Sequence, residues 1–125
     1  MHPFRRGVEN RDVPAVLETF SPDIVVHSPV LFRPFEGIDV VGRLFEILVE
    51  VFEDVRYTDE LTDADGTTAL VFRAHVGDRD VQGIDLLHHD SDGLVDDLTV
   101  FVRPQSGLMA VSEEMGRRVG DLRPT

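Results

Sequence analysis

Along its first half, the chain repeats hydrophobic residues every three or four positions, which is the spacing of one face of a helix. The pattern predicts three helices, and a similar stretch after Pro104 predicts a fourth. Their ranges are 4–11, a segment from the capping residue Asp12 to Ser21-Pro22, a segment from the capping residue Asp39 to Phe52, and 106–119. Between the second and third helices, residues 23–28 predict a strand and residues 29–37 predict a loop rich in aromatic side chains.

After residue 52 the pattern changes to an alternation of hydrophobic and polar residues, which indicates β-strands. The candidate strands are residues 55–61, 67–76, 79–89 and 94–103, separated by the turn sequences DADG, GD and DSDG. Consecutive hairpins imply an antiparallel sheet, and helices followed by such a sheet predict an α+β fold with the helices on the concave face. We expect one core facing the third helix, formed by Ile24, Val26, Leu70, Phe72, Leu98 and Val100.

One acidic residue, Asp85, interrupts the most hydrophobic of these strands, within the segment GIDLL. A two-residue turn after residue 76 or 77 would place Asp85 on the core-facing side of the sheet, opposite Leu70 or Phe72. Burial disfavours the charged form of an acid, so Asp85 should have a raised pKa and be able to donate a hydrogen bond or a proton. It is our candidate catalytic residue. The alternative is a structural acid bonded to a neighbouring strand or helix end.

Composition and charge narrow the classes of function. The 125 residues suit one domain, and no apolar run is long enough to span a membrane. The net charge of −12 argues against a nucleic-acid or membrane partner, because phosphate binding depends on clustered basic residues. The chain has no Cys, no metal-type spacing of His residues and no nucleotide-binding motif, so we expect no metal and no cofactor. No signal peptide is evident, and we expect a cytoplasmic location.

The order of these elements resembles the nuclear transport factor two-like fold, and within it the SnoaL-like and ketosteroid-isomerase-like domains. The resemblance is carried by FSPDIVVHSPVLFRPFEG (20–37) and IDLLHHDSDGLV (84–95), and it extends over about residues 4–102. It implies a single cone-shaped domain over 1–125, with a helical extension at 104–125. It also implies a homodimer formed through the outer sheet face, where we place Arg73, His75, Thr99 and Phe101.

The resemblance carries over one of the three residues of the ketosteroid isomerase site. The general base of that family precedes the Pro at a strand end, a position held here by Ser28, and its oxyanion-hole Tyr falls on Phe4. The second oxyanion donor, a protonated Asp, falls on Asp85. Neither Ser28 nor Phe4 can move the required proton near neutral pH, so an isomerase-type proton transfer is not expected. A partner for Asp85 could come from His27, Tyr57 or His89 if the fold brings one of them close.

The sequence therefore predicts an apolar pocket that holds a small hydrophobic molecule, with Asp85 as its polar anchor and a candidate general acid or base. Cofactor-independent isomerisation, cyclisation, dehydration or epoxide hydrolysis stays open. Non-catalytic binding of a small molecule and a role in dimerisation stay open as well. We expect the ligand to contact Phe4, Ser28, Phe32, Phe35, Tyr57, Phe72, Leu87, His89 and Val100.

Overall fold

Four helices and six strands make up residues 1–119, the part of the chain that this computed structural model describes. In chain order they are α1 (Pro3–Glu9), α2 (Val13–Glu18), β1 (Phe20–His27), β2 (Phe35–Glu36), α3 (Ile38–Val51), β3 (Glu53–Thr62), β4 (Thr68–Val76), β5 (Arg79–His89), β6 (Val95–Arg103) and α4 (Gln105–Arg118). No helix within residues 1–119 has both the length and the hydrophobicity needed to cross a membrane. The predicted α+β class is confirmed.

The strands form one curved sheet in the order β2-β1-β6-β5-β4-β3. Strands β3 to β6 pair as consecutive antiparallel hairpins, as predicted, and β2 is antiparallel to β1. The pair β1 and β6 is parallel. The chain passes from β2 through α3 to β3 at the far edge of the sheet, and three hairpin connections then bring it back to β6 beside β1. The helices pack on the concave face of this sheet, which is the expected two-layer arrangement.

Several predicted boundaries are wrong. The first helix ends at Glu9 instead of Arg11, the strand predicted over 23–28 begins at Phe20, and the loop predicted over 29–37 contains β2. The second helix ends at Glu18, and Ser21-Pro22 lies inside β1, where an irregularity in the pairing with β6 tolerates a Pro that has no N–H to donate. Asp39 does not cap α3. Gly37 holds the cap position with φ 90°, and Asp39 lies in the first turn, where its charge still favours the helix N-terminus.

The predicted core is confirmed. Five of its six residues are buried and the sixth, Val100, is partly buried. Leu70 pairs with Asp85 across β4 and β5, so Asp85 faces the core as expected. The turn between these strands is Gly77-Asp78, and Gly77 has the positive φ of 61° that such a tight connection favours. Arg73 and Phe101 point to the opposite, outer face and are exposed.

Candidate functional site

A cavity of about 360 Å³ lies between the concave face of the sheet and the helices. Its walls are mainly apolar and come from α1, α3 and α4 and from strands β1, β3, β4, β5 and β6. Five exposed residues also border it, so the cavity communicates with solvent; they are Arg11, Leu31, Asp54, Ser112 and Gly116. A mostly apolar cavity with a few polar groups is the usual form of a small-molecule site.

Asp85 and Tyr57 form a buried polar pair on the wall of this cavity. The Tyr57 hydroxyl donates a hydrogen bond of 2.7 Å to Oδ2 of Asp85, and the two residues are 7% and 5% exposed. No other residue within 1–119 forms a hydrogen bond with the Asp85 carboxyl group. Its second oxygen, Oδ1, therefore has no hydrogen-bond partner among these residues.

Burial determines the protonation of this pair. Removal from water raises the pKa of Asp85 from the ordinary 3.8 to about 7, although the hydrogen bond from Tyr57 opposes the shift. Burial, and then the nearby Asp85 carboxyl group, also raise the pKa of Tyr57 well above 10. Near neutral pH the site thus holds a phenol O–H and a carboxyl group that readily takes or gives a proton.

Phe72 shields the pair from water. Its ring packs at 5.9 Å from the Tyr57 ring and 6.0 Å from the Phe52 ring, both edge to face. The ring lies over Gly83, where any Cβ would collide with it and would also come within 2.5 Å of the Phe101 carbonyl oxygen. A glycine two residues before Asp85 on the same face therefore makes room for the aromatic side chain.

Seven of the ten predicted site residues border the cavity: Phe4, Ser28, Phe35, Tyr57, Phe72, Asp85 and Val100. Three do not. Phe32 is fully exposed, because the loop it lies on turns its side chain into solvent. Leu87 is fully buried two residues beyond Asp85, where it packs in the solid part of the core next to Leu98. His89 lies farther along β5, and its Nε2 atom is 2.9 Å from Nε2 of His2.

Of the three candidate partners of Asp85, only Tyr57 reaches it. His27 lies on the outer face of the sheet, where its Nε2 atom is 3.1 Å from Oδ2 of Asp97. His89 is occupied by His2, as described above. Within residues 1–119, no group of three or more His, Asp or Glu side chains is placed to hold a metal ion.

Several residues of the site were not predicted. Glu9 and Asp54 bring carboxylates to the cavity, and α4 contributes Val111 and Met115 to its wall. Arg11 and Asp54 have the left-handed backbone conformation, with φ of 55° and 53°, that is uncommon outside Gly. The four-residue spacing of Val111 and Met115 was a visible signal of a buried helix face. It did not show what that face would cover.

The fold and the site define a member of a known family. Residues 3–98 match the model of the SnoaL-like domain, and the chain belongs to this family. A crystal structure described as a steroid delta-isomerase from Pseudomonas aeruginosa is 40% identical, with a TM-score of 0.86 over 92% of this chain and 85% of that one.

Two further crystal structures extend this comparison. An uncharacterised Silicibacter pomeroyi protein with a cystatin-like fold is 26% identical, with a TM-score of 0.89 over 97% of this chain and 88% of that one. The epoxide hydrolase/cyclase-like enzyme SalBIII of salinomycin formation is 22% identical over 83% of this chain and 87% of its own, with a TM-score of 0.68. This last likeness shows the fold alone. Among curated proteins, none matches the chain.

Proposed function

We propose that this protein binds a small, mostly hydrophobic molecule in the cavity and holds an oxygen of that molecule against the pair of Asp85 and Tyr57. The observation that carries the proposal is a carboxyl group with a pKa of about 7 and an unoccupied oxygen, placed in an apolar cavity. While Asp85 is protonated, Oδ2 accepts from Tyr57 and Oδ1–H can donate to a carbonyl, ether or epoxide oxygen. A neutral donor suits a neutral acceptor, since neither leaves an unpaired charge in the cavity.

In this proposal Asp85 is also a general acid. A proton moving from Oδ1 to the bound oxygen would assist isomerisation, cyclisation, dehydration or epoxide opening without a cofactor. The Pseudomonas relative is described as a steroid delta-isomerase, so neutral ketones are the first class of ligand to test. An isomerisation also needs a base, and Ser28 stands where the family has one. Its Oγ atom already accepts hydrogen bonds from the backbone of Val30 and Leu31.

This occupied Ser28 favours a second candidate function, in which the cavity binds its ligand without chemistry. The change Asp85→Asn separates the two candidates, because an amide keeps the shape and a hydrogen-bond donor but cannot exchange a proton at ordinary pH. Deuterium exchange at the carbon next to the carbonyl of α-tetralone, followed by NMR, measures the proton transfer. An enzyme should lose this activity by about 10²-fold in the variant. A binding protein should show no activity above the solution rate in either form.

Calorimetry with a matched pair of ligands tests the anchoring itself. The ketone α-tetralone and the hydrocarbon tetralin share a carbon skeleton, so any preference for the ketone reports the bond to its oxygen. We expect the parent to bind the ketone about tenfold more tightly, which corresponds to about 1.4 kcal/mol. Asp85→Leu should remove this preference while leaving tetralin binding in place. An unchanged preference in the variant would show that Asp85 does not anchor the ligand.

We also propose that two copies pair through the outer face of the sheet. Val71, Ile84 and Phe101 lie side by side on that face across β4, β5 and β6. Ile84 is 39% exposed and Phe101 is 52% exposed, which leaves an apolar row that a second copy would cover. Light scattering at micromolar concentration should give a dimer, and Ile84→Glu should give a monomer. A monomeric parent would contradict this proposal.

A further inference from the structure

Two charged side chains of α1 hold the backbone of Tyr57 on both sides. The Tyr57 N–H donates to Oε2 of Glu9 at 3.0 Å, and the Tyr57 carbonyl oxygen accepts from Nη2 of Arg5 at 3.2 Å. Arg5 and Glu9 are one helical turn apart, and Nε of Arg5 lies 3.7 Å from Oε1 of Glu9. The guanidinium carbon of Arg5 also lies 5.8 Å from the centre of the Tyr57 ring. The two side chains thus bond the backbone of the residue that bonds Asp85.

The sheet alone holds Tyr57 weakly. Its strand, β3, is at the edge of the sheet and pairs only with β4. The pairing is irregular on both sides of Tyr57, between Glu53 and Arg56 and again between Tyr57 and Asp59. Such irregularities bend a strand and change the direction of its side chains. The outward N–H and C=O groups of an edge strand would otherwise bond only water.

The burial of Arg5 indicates that these contacts are built into the fold. Its side chain is 19% exposed, and its Nε atom is fully buried without a hydrogen-bond partner within residues 1–119. A buried cationic group is costly unless it is paired, and Arg5 is paired with Glu9 and Glu60. These pairs hold its guanidinium group where Nη2 reaches the Tyr57 carbonyl oxygen.

We propose that Arg5 and Glu9 are positioning residues, which hold the backbone of Tyr57 so that its hydroxyl group stays directed at Asp85. This inference rests on the proposed function, because it assigns α1 the task of orienting the donor pair. Tyr57 is the only Tyr of the chain, and there is no Trp. The tyrosine circular-dichroism band and the intrinsic fluorescence therefore report on this one phenol, in the free protein and without any ligand.

The test compares three variants at neutral pH. Glu9→Ala removes the acceptor for the Tyr57 N–H and should lose most of the tyrosine circular-dichroism band, with stronger quenching of its fluorescence by acrylamide. Glu9→Gln removes the charge but keeps an acceptor oxygen, so it should retain the parent's signals. Glu60→Ala is the matched control, because Glu60 also contacts Arg5, at 3.4 Å, but makes no hydrogen bond to Tyr57. It should retain the signals as well.

The proposal is overturned if Glu9→Ala keeps the parent's signals, or if Glu9→Gln and Glu60→Ala lose them to the same extent. Should Glu9→Ala fail to fold, hydrogen exchange in the parent decides. The outward N–H of Tyr57 should exchange slowly, because Glu9 bonds it, and exchange at the rate of an exposed amide would overturn the proposal. If the protein binds α-tetralone no more tightly than tetralin while these signals behave as described, the proposed function is wrong and the positioning role of Arg5 and Glu9 is retained.

Discussion

Ionisation of the buried Asp85 carboxyl group should make the folded protein less stable at neutral pH than at pH 4. Burial raises its pKa from 3.8 to about 7, so the folded protein binds the proton more tightly than the unfolded chain does. The contribution to stability is complete below about pH 4, and it is lost as the pH rises to about 7. At about 1.4 kcal/mol for each pH unit, the free energy of unfolding should fall by about 4 kcal/mol and then level off.

The change Asp85→Asn keeps this position neutral at every pH and should abolish the fall. Urea denaturation of the parent and the variant between pH 4 and pH 8 measures it, and the difference between the two curves isolates Asp85, because both forms share the other titrating groups. An amide N–H without a partner would cost about 1–3 kcal/mol, but equally at every pH. Asp23→Asn, at an exposed position of β1, is the control and should follow the parent. Parallel curves for the parent and Asp85→Asn would refute the reasoning.

Three other predictions concern the same site. Tyr57→Phe removes a hydrogen bond that lowers the pKa of Asp85, so in the same denaturation series the fall in stability should begin at the same pH but continue to a higher pH and become larger. Gly83→Ala forces Phe72 to move and should cost about 1–3 kcal/mol. Gly42→Ala, where the new Cβ meets only the flexible end of a Leu side chain at 3.2 Å, should cost little, and equal costs would contradict the role given to Gly83. The affinity for α-tetralone should fall about tenfold per pH unit above 7, and an affinity that is constant with pH would show that Asp85 binds in either form.

Much of the fold could be predicted because it depends on local signals. Alternation assigned the strands, and the two-residue turn at Gly77-Asp78 fixed the register of β4 and β5. That register alone placed Asp85 on the buried face. The prediction that Phe32 contacts the ligand was wrong because Phe32 lies on a loop. A loop has no repeating pattern from which to infer where a side chain points.

The partner of Asp85 could not be chosen from the sequence. His27, Tyr57 and His89 were equal candidates, and the choice among them depended on the irregular pairing of β3 and on two contacts from α1. Each of the two contacts from α1 joins residues that are about 50 positions apart in the chain. No period or turn encodes such contacts. The role of α4 in closing the cavity was missed in the same way, because a helix pattern shows a buried face without showing its neighbours.

An NMR titration of the Asp85 carboxyl carbon in the free protein is the most direct test of the central claim, which is that Asp85 titrates near neutral pH and is therefore partly protonated there. The chemical shift should change with a midpoint near pH 7, in agreement with the effect of burial on this pKa, and the resonance should be absent in Asp85→Asn. A midpoint near the ordinary 3.8 would show that Asp85 is ionised at neutral pH. In that case it could not donate the hydrogen bond on which the proposed function depends.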